Sequence, residues 1–313
     1  MRIAMFDEGL IGVLAHDETL VAVNDLLEGY EQPGPEDLLP DLIEHMDELR
    51  PELERRVASG GGRALAQSRL HAPLTRPGKI VCLIGNYREG TDRPIQILDI
   101  FFKSPEGIRG DGDTVTLPAH DASIFHHEAE LAVVIGRETK DIAQADALGA
   151  VFGYTGYNDV SARGIGREGI ASFLGKSFDT FAGFGPWIVT ADEIPDPQQL
   201  RVTVDVNGER RQDYLTTDME RPVSELIAYV SSVTTLRCGD VLCCGTNHQG
   251  LGSMQHGDAV TTTVEGIGSF TLHVDDPHGR SWERGIDIAM AQRVKDMARN
   301  PAPTQQPREG ASR

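Results

Sequence analysis

The sequence predicts a mainly β protein with some α: a small α+β module at the N-terminus, a β-rich main domain and a C-terminal tail. Three observations carry this. From Ile80 onward, short apolar runs alternate with turn residues. The run Leu131 to Ile135 is β-branched, short and closed by Gly136, which is the form of a buried strand. Val202 to Val206, followed by Asn207-Gly208 and a polar run, has the form of a hairpin with a two-residue turn.

Taken in order, residues 1 to about 25 alternate apolar runs with turns at Glu8-Gly9 and Asp17-Glu18, as a small meander does. Leu38, Leu42, Met46, Leu49 and Leu53 recur at helical intervals, with Pro51 expected to kink or restart the helix. Ser59 to Arg63 reads as a flexible joint, and Pro73 to Gly78 as the entry to the main domain. A short helical pattern lies around Ala145 to Ala150, a strand-like segment from Val151 to Arg163, and a clear helix from Val223 to Val230 after Pro222. Asn300 to Arg313 is polar and proline-rich and is expected to be disordered. The expected division is 1–72, 73–285 and 286–313, with no internal repeat.

The 48 acidic against 29 basic residues leave a formal charge of −19, which argues against nucleic acid and an anionic membrane surface as partners. Cys82, Cys238, Cys243 and Cys244 form no C-x-x-C pair. They read as small buried residues of a reduced, cytoplasmic protein. The N-terminus turns acidic at once, so no signal peptide is expected, and no apolar run approaches the roughly 20 residues of a membrane span.

Chemistry concentrates at Glu128 and Glu130, which lead into the buried strand. Alternate strand residues share a face, so both carboxylates enter the core from one side, where they repel each other and are costly to desolvate. A cation between them answers both costs; an acidic outer face on a half-exposed strand is the alternative that spacing leaves open. Asp159, at the end of the next strand-like segment, offers a third oxygen ligand. Three carboxylates suit Mg²⁺ or Mn²⁺ rather than a closed zinc site, with Ca²⁺ able to stand in within a crystal.

Lys79 to Tyr87, Phe101-Phe102-Lys103, Glu128-Ala129-Glu130, Asn158 to Arg163, Gly175 to Thr180, Val206 to Glu209 and Gly245-Thr246 occur in an order that resembles the fumarylacetoacetate hydrolase superfamily. The similarity is to its acylpyruvate hydrolase and 2-oxo acid decarboxylase branch. It implies a mixed β-roll or sandwich domain and a homodimer, with Glu128, Glu130 and Asp159 as metal ligands. It also implies Lys103, Arg163, Thr246 and Tyr87 around a small anionic substrate, with Lys176 meeting charge that develops during reaction. The implied activity is hydrolytic cleavage of a carbon–carbon bond in a 2-oxo or 1,3-dicarbonyl acid through a metal-chelated enolate. A decarboxylase or keto-enol tautomerase of the same family is the alternative, and a catalytically silent ligand-binding homologue is a further one.

The sequence departs from the family pattern where water is activated. Many members follow Asn-Tyr with two residues and a histidine, then a glutamate three positions on; here Gly90 and Arg93 occupy those places. The remaining candidates for a base are His248, in a loop that departs from the usual Gly-Thr-Pro, and Glu89 on a shifted loop. An exposed loop histidine is the plain alternative for His248. His126 and His127 read as packing behind the ligands rather than as ligands. Two further motifs are decoys. Gly164 to Gly169 matches G-x-G-x-x-G without the strand, helix and distant acid of a dinucleotide site. Gly175-Lys176-Ser177 lacks the earlier glycine of a phosphate loop, and Ser177 lacks the second glycine of a nucleophile elbow.

Overall fold

Short apolar runs at Arg2–Phe6, Leu10–Leu14 and Thr19–Ala22, separated by turns, form an antiparallel meander. Its turns place Asp7 at φ 49° and Glu18 at φ 58°. The computed structural model describes residues 1–28, 38–91, 95, 98–165 and 173–299. The expected disordered end at 300–313, Arg93 and most of the G-x-G-x-x-G match lie outside them.

The meander joins the main domain directly, because Arg2 and Ile3 pair with Val189 and Ile188. Among the described residues this gives an eleven-stranded sheet. Its central order is Arg2–Phe6, Ala182–Thr190, Val151–Asp159, Ala129–Ile135, Val241–Cys243, Ile80–Ile84, Asp99–Lys103. A second, five-stranded sheet runs Glu209–Leu215, Arg201–Val206, Ala259–Val264, Gly268–Asp275, Thr114–Thr116. The expected hairpin is its first pair, with Asn207 at φ 53° and Gly208 at φ 81°, the left-handed values a two-residue turn requires.

Three layers result, and the strand Ala129–Ile135 shows why it is apolar throughout. Leu131, Val133 and Ile135 pack with Val202, Val204, Phe270 and Leu272 of the second sheet. Ala132 and Val134 pack on the opposite side with Leu39, Leu42 and Leu53 from the N-terminal helices. A strand covered on both faces loses its polar alternation. The helix expected at 223–230 spans Val223–Val233 and buries Val223, Leu226, Ile227 and Val230, one helical face.

Three expectations are corrected. The N-terminal helices are Leu38–Glu44 and Met46–Ser59, interrupted at His45; Pro51 lies inside the second, on an exposed face. Ser59 to Arg63 is no free joint, since Gly60 closes the helix on the Arg56 carbonyl and Arg63–Ala64 pairs with Thr19 and Leu20. The segment after 286 is not all tail, because Ile288–Arg299 is a helix. Its run of Ala, Met, Gln and Arg has the propensity for one. Among the described residues no helix is long and apolar enough to cross a membrane, and Cys82, Cys238, Cys243 and Cys244 are free thiols.

Candidate active site

Strand register builds the floor of the site. Ala129 pairs with Asn158 and Glu130 with Tyr157, and the Asp159 N–H donates to the Glu128 carbonyl at 2.8 Å. Glu128, Glu130 and Asp159 therefore share one face at the ends of two neighbouring strands, all buried, with ligand oxygens within 4.8 Å of one another. Asn158 accepts the Glu128 N–H at 3.2 Å and donates to Thr262 Oγ1 at 3.0 Å, fixing that end of the pair. Burial and the charges of Asp159 and Glu128 drive the Glu130 carboxyl well above its usual range, and the Gly245 N–H at 2.7 Å offsets only part of this. Such a like-charged oxygen cluster out of water is what a hard divalent cation relieves, so the residues fit the expected metal.

Cations surround the floor. Lys176 Nζ bridges Glu128 Oε2 at 2.7 Å and Asp159 Oδ2 at 2.8 Å. It ends the short helix Phe173–Lys176, held close because Gly175 has no side chain: a Cβ there would stand 2.6 Å from the Ala162 carbonyl oxygen. Burial alone would lower the Lys176 pKa, but Asp159 and Glu128 outweigh it and raise it. Arg163 donates to Glu128 through Nη2 and to His126 Nδ1 through Nε. Burial alone would raise the Glu128 carboxyl; Lys176, Arg163 and His248 outweigh it and hold the group low.

Lys103 is placed differently from the substrate contact that the resemblance implies. Its side chain has no exposed surface, and its ammonium donates to Asp159 Oδ1, the Val160 carbonyl and the Phe181 carbonyl. All three of its donors are engaged by Asp159 and two backbone carbonyls. Thr246 is similarly committed, donating to the Ala129 carbonyl at 2.7 Å and accepting from Gln212 Nε2 at 2.8 Å. Tyr87 is fully buried, edge-on to Tyr214 with ring centroids 4.9 Å apart.

Glu89 and His248, 159 residues apart, meet: His248 Nδ1 lies 2.8 Å from Glu89 Oε1. The Glu89 side chain is 3% exposed and that of His248 25%. Glu89 sits at φ 56°, unfavourable for a non-glycine residue, and is pinned by its N–H donating to Asp218 Oδ2 at 2.8 Å and by Gln249 Nε2 donating to its carbonyl. Asn247 Oδ1 accepts the Gln249 N–H at 2.9 Å and shapes the turn that carries His248.

The profile of the fumarylacetoacetate (FAA) hydrolase C-terminal family matches residues 79–275. The chain belongs to that family. A maleylpyruvate hydrolase of Aquipseudomonas alcaligenes is 34% identical over 88% of this chain and 99% of its own length. An oxaloacetate tautomerase of Bacillus subtilis is 36% identical over 67% of this chain and 74% of its own. The crystal structure of a maleylpyruvate hydrolase from Sphingobium sp. SYK-6, in complex with manganese(II) and pyruvate, superposes with a TM-score of 0.79 at 32% identity, covering 88% of this chain and 99% of that one. The expected fold holds for this chain, and a divalent metal is supported by the manganese(II) of that relative together with the buried Glu128, Glu130 and Asp159 cluster here.

Sequence reading missed Gln212. Its Oε1 accepts from the Ala129 N–H and from His127 Nδ1, both at 3.1 Å, while Nε2 donates to Thr246 and to the Asn247 carbonyl at 2.7 Å. It thereby ties the metal strand to the His248 loop. The available signal was a polar residue at an inward position of the hairpin strand, opposite buried Val204. His127 is buried beside Gln212, and burial pushes it down to about 4.

Proposed function

We propose that this chain is a divalent-metal-dependent hydrolase that cleaves a carbon–carbon bond in a small 2-oxo, 1,3-dicarbonyl acid of the acylpyruvate type. In this reading it acts as a homodimer in the cytoplasm, with the catalytic machinery in residues 73–285. The observation that carries the reading is the Glu89–His248 pair beside the carboxylate triad. Tautomerisation moves a proton from carbon to oxygen, and once the carbon is acidified solvent water can carry that proton, whereas hydrolysis needs a positioned group that takes a proton from the attacking water. A histidine backed by a buried carboxylate is that group.

Held by Glu128, Glu130 and Asp159, a divalent cation would supply carbonyl polarisation and charge for a developing enolate. Lys103 keeps Asp159 in place. Three carboxylates against Lys103, Lys176 and Arg163 leave the site near neutrality, so a bound divalent ion would leave it a positive surplus suited to an anionic acid. Lys176 holds the substrate carboxylate or the oxyanion. With His248 Nδ1 engaged by Glu89, Nε2 takes the proton of the attacking water, and Glu89 balances the imidazolium. The same proton then returns to the carbon that departs with the bonding pair, giving two acids.

The test is product analysis with Mn²⁺, offering an acylpyruvate and oxaloacetate to the parent protein and to His248→Ala. The hydrolase reading expects the parent to convert the acylpyruvate to two acids. It expects His248→Ala to lose that cleavage by roughly 10²–10⁴-fold while retaining enolisation of oxaloacetate. A parent that only tautomerises or decarboxylates oxaloacetate replaces the reading with the tautomerase or decarboxylase alternative.

A further inference from the structure

The stretch matched by the family profile ends at 275, yet the chain beyond it reaches the site twice. Residues 282–287 run alongside Leu251 to Gln255. There the Trp282 N–H donates to Gln255 Oε1 at 3.0 Å, Ser253 Oγ donates to the Glu283 carbonyl at 2.9 Å, and the Asp287 N–H donates to the Leu251 carbonyl at 2.7 Å. The helix Ile288–Arg299 then packs on the turn His248–Gly250. Asp287 caps that helix, its Oδ1 accepting the Met290 N–H at 2.9 Å.

The other oxygen of Asp287 points inward. Its Oδ2 lies 3.0 Å from His126 Nε2, and Arg163 Nε donates to His126 Nδ1 at 3.2 Å. An arginine has no acceptor, so Nδ1 must be the bare nitrogen and the ring proton must sit on Nε2, facing Asp287. The His126 side chain has no exposed surface, and the acceptor facing its Nε2 is the Asp287 carboxylate. Without the Asp287 carboxylate, Nε2–H loses its acceptor and the ring loses one of the two hydrogen bonds that fix its plane. The Nδ1 lone pair that aims Arg163 Nε is then no longer held in place, and the guanidinium loses its fixed position beside Glu128.

We propose that Asp287 is a positioning residue of the active site: acting through His126, it fixes the Arg163 guanidinium at the carboxylate triad, so the C-terminal helix sets how the site receives an anion. The proposal rests on the reading of the site as one that binds a 2-oxo acid. Its test is titration of pyruvate into the Mn²⁺-loaded full chain by calorimetry, with melting temperature measured alongside. Asp287→Ser keeps a good helix cap but is too short to serve His126, and is expected to weaken pyruvate about tenfold with little change in melting temperature. Arg163→Ala is expected to weaken pyruvate at least as much, and the double variant no more than Arg163→Ala alone. Parent-like affinity in Asp287→Ser, or additive losses in the double variant, overturns the proposal while leaving the hydrolase reading intact. A parent that binds Mn²⁺ but no pyruvate overturns both.

Discussion

The carboxylate floor and the Glu89–His248 pair are two halves of one site built by opposite means. The floor rests on two adjacent strands whose hydrogen-bond register fixes Glu128, Glu130 and Asp159 together, under complete burial. The pair rests on two loops, one strained at Glu89 and pinned by Asp218 and Gln249, with His248 partly exposed. In the proposed function, metal binding sits on the paired strands and proton transfer on the two loops. A change in the floor is therefore expected to abolish all metal-linked chemistry, and a change in the pair only the step that needs water.

The sharpest break of that contrast is Glu130→Gln. It is expected to lower turnover of every oxo acid by more than about 10³-fold, as loss of a metal's charge stabilisation does, and to remove Mn²⁺ binding in calorimetry. Retained turnover after exhaustive chelation would falsify the metal assignment. Next comes Glu89→Gln, expected to slow hydrolysis by roughly 10–10²-fold, less than His248→Ala, because the proton acceptor stays and only its counter-charge is lost. Equal effects on hydrolysis and on oxaloacetate enolisation would mean that the loop pair serves binding rather than water.

Lysines separate the halves further. Lys176→Met is expected to reduce turnover by about 10²-fold at similar Michaelis constant. Lys103→Met should show itself in Mn²⁺ affinity and melting temperature, since removing a buried ammonium leaves Asp159 unpaired. A Lys103→Met protein that binds Mn²⁺ like the parent contradicts the placement of that ammonium.

Metal-free stability gives a smaller effect with a definite sign. Burial and neighbouring carboxylates raise the Glu130 pKa above its ordinary 4.5, so the folded state binds this proton more tightly than the unfolded chain. Stability from this group is full below 4.5 and is lost as pH rises toward the folded value. Mn²⁺ should therefore raise the melting temperature more at pH 8 than at pH 5, and Glu130→Gln should flatten the metal-free profile. The smallest effect is reserved for a position remote from both halves. Gly208→Ala, which forces a left-handed turn on a side chain, should cost about 1 kcal/mol, or roughly 2–4 °C, with kinetics unchanged.

Legibility in the sequence follows the same division. Strand alternation, an Asn-Gly turn and a period-3.6 helix are local, so the floor carboxylates, the hairpin and Val223–Val233 were readable from neighbouring residues. Glu89 and His248 could be nominated because the usual dyad was missing, but their meeting depends on two loops closing 159 residues apart. Lys103 read as a substrate contact because spacing does not reveal that the Val160 and Phe181 carbonyls absorb its donors. Asp287 and Gln212 were invisible for the same reason: each acts on the site through a neighbour rather than by touching it.

The pairing of Arg2 and Ile3 with Val189 and Ile188 has a consequence for handling the protein. Cutting the chain near residue 72 would not release a finished domain. It would strip hydrogen-bonding partners from one side of Ala182–Thr190, a nine-residue strand in the middle of the larger sheet, and uncover the apolar face that the N-terminal helices shield. The stretch left open around Ile188 and Val189 invites pairing with another copy. A fragment confined to residues 79–275 is therefore expected to self-associate and collect in the insoluble fraction, whereas a chain that keeps its first strand should remain dispersed.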